Sequence, residues 1–289
     1  MAQPGDKKAP GRARPVPPAV APGPPPAATP EPSAAPPVTR NDAAVWLFSA
    51  LVGFLVGEIV GLVAISVLAS AFGQGGQVAQ LAKLQEPPEW YVGAGLVGLW
   101  VGLGGAPWVA SRVRGTRNLV ADFGLRFRWI DLVGLAIGVA GQYGVALLYL
   151  PFKSHIKNFG APATRLTGAS HGGGFLVIAV LTVLGAPFFE ELFFRGLVFK
   201  GLVRLFAPRR PGVGPAHLAA LAAAVVVDGV LFGLAHGEWV QLAGLALFGM
   251  VLAVLAYRTG RLGMSMVAHA SFNLVAVLSI LSSRGGVIH

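Results

Sequence analysis

Two adjacent glutamates stand in a run with little other polarity: Phe188-Phe189-Glu190-Glu191-Leu192-Phe193-Phe194-Arg195-Gly196. An ionisable group inside an apolar run is costly unless it is paired or hydrated, so each one is a candidate for function. On a helix Glu191 and Arg195 are four residues apart, share a face and form a pair. Glu190 points about 100° away round the axis and cannot comfortably share that arginine. It is left as an unpaired carboxylate, the kind of group that serves as a general base. Pro187 removes one backbone hydrogen bond just ahead of it and predicts a kink or a wider opening there.

Two further polar elements follow. Phe232-Gly-Leu-Ala-His236 ends one apolar run, with Asp228, Phe232 and His236 spaced by four on one face. His269-Ala-Ser-Phe-Asn273 sits in the last run and aims an imidazole and an amide in one direction. Each element alone has an ordinary reading: a buried ion network, an interfacial histidine, a helix–helix hydrogen bond. Three in succession are harder to dismiss. With no Cys in the chain there is no thiol nucleophile. Ser271 is two residues from both His269 and Asn273 and faces away from them, which disfavours a serine mechanism. A carboxylate, two imidazoles and an amide suit the activation of water, directly or through a metal. The amide and one imidazole suit the oxyanion formed when water attacks a peptide carbonyl. The reaction these groups can perform is hydrolysis.

The elements that must carry them are membrane spans. The 289-residue chain is 54% hydrophobic and 12% charged, against about 25% charged for an ordinary soluble domain. That composition excludes a soluble globular protein. The absence of Cys also excludes a disulfide scaffold and thiolate metal sites. The net charge of +10 comes from Lys and Arg scattered between apolar runs, so nucleic-acid binding is set aside. Apolar runs long enough to cross about 30 Å of hydrocarbon fall at 43–71, 90–110, 132–152, 174–198, 216–235, 239–257 and 262–281. The expectation is an all-α, polytopic transmembrane helix bundle of seven spans, occupying residues 43–289. Residues 1–42 hold 13 of the 22 prolines and read as a disordered Pro/Ala-rich tail. Gly53, Gly57 and Gly61 make a smooth stripe for close packing of the first span. Trp46, Trp90, Tyr91, Trp129, Trp239 and Tyr257 lie near span ends, where amphipathic rings favour the interface.

Orientation follows from the basic residues. Apart from Arg195, 16 of the Lys and Arg fall in the tail and the segments that share its side, and 5 in the others. The positive-inside rule puts the tail in the cytoplasm and His289 outside. One tension follows. His236, at the far end of the fifth span, comes out near the face opposite to the other site residues. Either that span starts below the membrane, or the 236–241 connection dips inward, with Gly237, Glu238 and Gln241 lining a wet pocket.

Glu190-Glu191-x-x-x-Arg195, Phe232-x-x-x-His236 and His269-x-x-x-Asn273, in that order, resemble the CPBP family of intramembrane proteases. That family is named from CAAX proteases and bacteriocin-processing enzymes and is also called ABI. The resemblance covers about residues 120–281, with Asp122-Phe-Gly-Leu-Arg126 as lead-in. It implies an endopeptidase of a multi-pass cell membrane, acting on a membrane-associated peptide or protein. In it Glu190 activates water with help from His236, His269 and Asn273 hold the oxyanion, and Glu191, Arg195 and Phe232 shape the site. Family members are commonly called metalloproteases, so Glu190, His236 and His269 become candidate ligands of a Zn²⁺ ion; no organic cofactor is implied. Two other readings use the same residues. One is a non-catalytic immunity or scaffold protein of this fold. The other is a proton-coupled transporter relaying through Glu58, Glu190 and Asp228. The Ala, Gly, Val and Arg bias points to a GC-rich bacterial genome.

Overall fold

A computed structural model describes Met1, 40–84, 86–152, 172–207 and 214–285. The Pro-rich tail, the 153–171 segment and His289 lie outside the described residues. Among those described there is no β-strand, and seven helices are long and apolar enough to cross a membrane. We label them α1 (Arg40–Ala71), α2 (Glu89–Arg114), α3 (Val133–Tyr149), α4 (Gly173–Phe206), α5 (Pro215–Ala235), α6 (Leu242–Thr259) and α7 (Gly263–Gly285). A 3₁₀ turn, Trp129–Leu132, leads into α3. The protein is a multi-pass membrane protein, and the seven expected spans match these helices.

The helices pack as close pairs: α1 on α2, α3 on α7, and α5 on α6. Small residues set the first contact. A Cβ at Gly57 would come within 2.6 Å of the Leu99 carbonyl, so only glycine lets the two backbones approach this far. Helix α4 runs through the middle, and its 191–199 stretch is buried at every position. Its interior polar groups therefore meet protein rather than lipid.

Three expectations need correction. The fourth span does not stop at 198 but continues to Phe206. Lys200 and Arg204, read as residues of a connecting segment, are instead held by protein. Lys200 Nζ donates to the Asp122 carbonyl at 3.1 Å, and the Arg204 guanidinium lies 4.4 Å from the Trp46 ring centre. Trp46 is no interfacial ring. It is fully buried, packs on Phe123 at 5.1 Å and donates Nε1–H to the Arg114 carbonyl at 3.1 Å. Trp129 and Trp239 do face outward, at 83% and 79% exposure. The sixth span begins at Leu242 rather than 239.

The longer α4 also resolves the tension over His236. Phe199 of α4 meets Tyr257 near the end of α6, so α4 extends seven residues, about 10 Å, past the level of the α6–α7 turn. Helix α5 starts beyond that level, at Pro215, and its 21 residues climb back along α4 until His236 stands level with Glu190. The fifth span begins low, and the 237–241 connection has no need to dip.

The lead-in fixes that same turn. Asn118 caps a short helix, Leu119–Phe123, by accepting from the N–H groups of Val120 and Ala121. Gly124 then takes a left-handed φ of +71° against the α6–α7 turn, where its carbonyl accepts from Leu262 N–H at 2.8 Å. Buried Asp131 grips Arg261 through two hydrogen bonds of 2.6 and 3.0 Å.

Candidate active site

The three polar elements converge on α4, α5 and α7. The Glu190 Oε2 atom lies 3.9 Å from His236 Nε2 and 3.8 Å from His269 Nε2. It is buried and has no hydrogen-bond partner. Glu191 points the other way: its Oε1 accepts from Arg195 Nη1 at 2.9 Å and meets His269 Nδ1 at 3.1 Å. The His269 ring therefore bridges the two glutamates, one nitrogen to each. That bridge was not evident from the motif spacing, which pairs Glu191 only with Arg195.

These contacts determine both histidine tautomers. A carboxylate accepts only, so His269 carries its proton on Nδ1 towards Glu191. The Phe232 carbonyl also accepts only and lies 2.8 Å from His236 Nδ1, which donates to it. Each neutral ring thus turns an Nε2 lone pair towards Glu190.

Behind this face lies a sealed ion network. Arg195 and Glu191 have no exposed side-chain surface, and Asp228 of α5 adds a contact of 3.5 Å to Arg195 Nε. Arg195 Nη2 also donates to the Gly249 carbonyl of α6 at 2.9 Å. A Cβ on Gly249 would press on the Phe232 ring at 3.0 Å and on Arg195 Nη2 at 3.2 Å, so this position works as glycine. Phe232 is fully buried, with the guanidinium 4.3 Å from its ring centre and the rings of His236 and His269 at its edges. One arginine therefore ties α4, α5 and α6 together. A charge pair this deep survives because each partner is desolvated against another charge.

Pro187 acts as expected, by widening the helix. The Ala186 N–H reaches back five residues to the Leu181 carbonyl, a π-helical turn. The next bond in that register would run from residue 187 to the Thr182 carbonyl, but proline has no N–H. Asn273 Nδ2 of α7 donates to that carbonyl instead, at 2.9 Å. Ser271 points to α3, where its hydroxyl donates to the Leu135 carbonyl at 2.8 Å. It is engaged away from Glu190, as its spacing predicts.

Access is from the His236 side. The His236 side chain is 32% exposed, Glu190 13% and His269 4%. Phe189 is held next to Glu190 by stacking on Trp100 of α2, at 5.0 Å and 17°.

Comparison with known proteins bears on this region. Residues 172–275 match the family described as Rce1-like, type II CAAX prenyl endopeptidase. Over this segment the chain is similar to that family. No match was found among curated proteins or among solved structures. The matched stretch is shorter than the 120–281 resemblance and leaves out the lead-in. It still contains all three polar elements and the helices α4, α5 and α6 whole.

Carboxylate and imidazole are suitable zinc donors, with bonds of about 2.0–2.2 Å that set tetrahedral ligands about 3.3 Å apart. The donors here stand wider, at 3.8 and 3.9 Å. Among the described residues no group of three is arranged to hold a metal ion. The residues present do not fit a bound zinc in this arrangement.

Proposed function

We propose that the chain is an intramembrane endopeptidase that hydrolyses a peptide bond of a membrane-associated protein or peptide with water activated by Glu190. The observation that carries this reading is the free, buried Glu190 oxygen with an imidazole Nε2 on either side. Water between these three acceptors gives its proton to Glu190 as its oxygen adds to the scissile carbonyl carbon. His236 Nε2 accepts the other water hydrogen and orients the attack. The negative charge that develops on the carbonyl oxygen is met by the second N–H of Asn273, the one Thr182 does not use. His269 adds to this when its Nε2 holds a proton taken from bulk water, an imidazolium that Glu191 stabilises from Nδ1 and that returns the proton to water when the products leave. The proton held by Glu190 then passes to the leaving amine as the C–N bond breaks.

Glu191, Arg195, Asp228 and Phe232 position these groups without touching the reacting atoms. The relay reading finds little support in this geometry. Asp228 is committed to Arg195, and Glu58 lies on the outer face of α1, so the acids do not string across the bundle. The basic residues favour a cytoplasmic tail and an outer C-terminus, and the composition favours a bacterial membrane. The unit proposed to do this work starts with α1, whose first residues, Arg40–Asp42, were expected to belong to the tail.

The test is cleavage of a membrane-peptide library by the purified protein. Glu190→Gln keeps shape and hydrogen bonding but cannot take the proton, so cleavage should fall at least about 100-fold with the thermal unfolding curve unmoved. Cleavage near the wild-type rate would falsify the mechanism.

A further inference from the structure

Glu58 is an ionisable residue that the site does not use. It lies thirteen residues from Ala71 and seventeen from Asn41, about 20 Å and about 26 Å of helix, which is near the middle of α1. It is exposed on the outside of the bundle, with no hydrogen bond or ion pair among the described residues. Neither distance lets its short side chain reach a membrane surface. The other interior acids described here behave differently: Glu191 and Asp228 are buried against Arg195.

Its neighbours on that face are ordered. Phe48, Leu51, Leu55, Glu58 and Leu62 recur at spacings of three, four, three and four, and the four apolar members are 66%, 58%, 52% and 57% exposed. Val52, Val56, Ile59, Val63 and Val67 beside them are exposed as well, so the whole outer half of α1 is apolar and Glu58 alone distinguishes this line; its 3.5-residue spacing is one that a left-handed pair of helices can use. The opposite face of α1, with Gly53 and Gly57, is already filled by α2. The outer stripe is therefore a second line along α1 with no helix on it among the described residues.

We propose that this seam joins two copies of the chain through their α1 helices, with Glu58 meeting its symmetry mate. Copies inserted in one membrane with one topology are related by an axis along the membrane normal, so residues of equal depth face each other. A neutral carboxyl both donates and accepts a hydrogen bond, so Glu58 is complementary to itself. A foreign helix would have to bring its own polar group to that depth, and lipid brings none.

The test uses the full chain in its native membrane. Because the chain has no Cys, Leu55→Cys and Leu62→Cys report the seam, while Val56→Cys and Val67→Cys, exposed but turned away from them by about 100–140°, serve as controls. With copper phenanthroline as oxidant, disulfide dimers should form at 55 and 62 and not at 56 and 67. In vesicles, energy transfer between labelled copies should show Glu58→Leu weakening self-association by about 3- to 30-fold, the range of one interhelical hydrogen bond in lipid. Glu58→Gln, which keeps a donor and an acceptor, should retain it. Equal cross-linking at all four positions overturns the proposal, as does unchanged association in Glu58→Leu. A monomer at every density also overturns it and leaves lipid or a different protein's helix as the occupant of the seam.

Discussion

The α1–α2 pair and the α4–α7 group solve the same problem in opposite ways. Helices α1 and α2 touch through glycines, backbone against backbone, and the charged pair between them, Arg114 and Asp42 at 3.8 Å, sits at the end of that contact. The α4–α7 group is held by Arg195, which reaches Glu191, Asp228 and the Gly249 carbonyl at once. Dispersion alone is enough to join smooth helices in lipid. A water-activating site needs polar groups at depth, and those groups require a scaffold that satisfies them. The carboxylate proposed to activate water is the exception left inside that scaffold: Glu190 Oε2 has no hydrogen-bond partner among the described residues, while its neighbour Glu191 is anchored on both Arg195 and His269.

The contrast is broken most directly at Arg195. Arg195→Ala leaves two buried carboxylates uncompensated and should cost about 3–5 kcal/mol, read as a loss of folded yield and of melting temperature. Glu191→Gln should move stability the same way by less, because Asp228 still accompanies the arginine. If Glu190→Gln proves the most destabilising of the three, the roles of the two glutamates are reversed.

The next effect is on rate rather than stability. His236→Ala should lower cleavage on the scale of Glu190→Gln, at least about 100-fold, if both residues act on one water. The double variant should then lose little beyond either single one. Additive losses would mean that His236 and Glu190 serve separate steps.

The glycine interface should answer with smaller numbers. Gly57→Val puts side-chain atoms against the Leu99 backbone and should cost about 1–3 kcal/mol, the range for overpacking. Activity per folded molecule should be unchanged, since the site lies on other helices. A variant as stable as the wild type would show that α1 and α2 can slide apart without loss.

The two regions also differ in how far they could be read beforehand. Seven spans, the glycine stripe and the three polar elements are local patterns, and a period or a charge in an apolar run reveals them. What escaped notice depends on partners far along the chain. The end of α4 was misplaced because Lys200 and Arg204 look like residues of a connecting segment, and nothing near them announces Asp122 or Trp46. Asp131 and Arg261 stand 130 residues apart, and neither is unusual in its own neighbourhood. Asp228 was visible as a buried acid, yet its choice of Arg195 over His236 depends on how α5 lies against α4. The bridge made by His269 is of the same kind.

The smallest effect tests the joint between α4 and α7. Asn273 donates to the Thr182 carbonyl, the acceptor that Pro187 leaves unserved in the π-helical register. Asn273→Ala removes that donor and should cost about 0.6–2 kcal/mol, the range of an interhelical hydrogen bond in a membrane. Pro187→Ala restores a backbone N–H at the one position that can serve the same carbonyl, either in this register or after the turn tightens to α-helical. In that background Asn273→Ala should cost less, and a double-mutant cycle on melting temperature should give a coupling of about 0.5–1 kcal/mol. The same cycle on cleavage separates the two uses of the amide. If Asn273 served only to hold the joint, Pro187→Ala would rescue the activity of Asn273→Ala together with its stability. Rescue of stability without rescue of rate is the expected result, because the proposed mechanism gives the second N–H of Asn273 to the oxyanion.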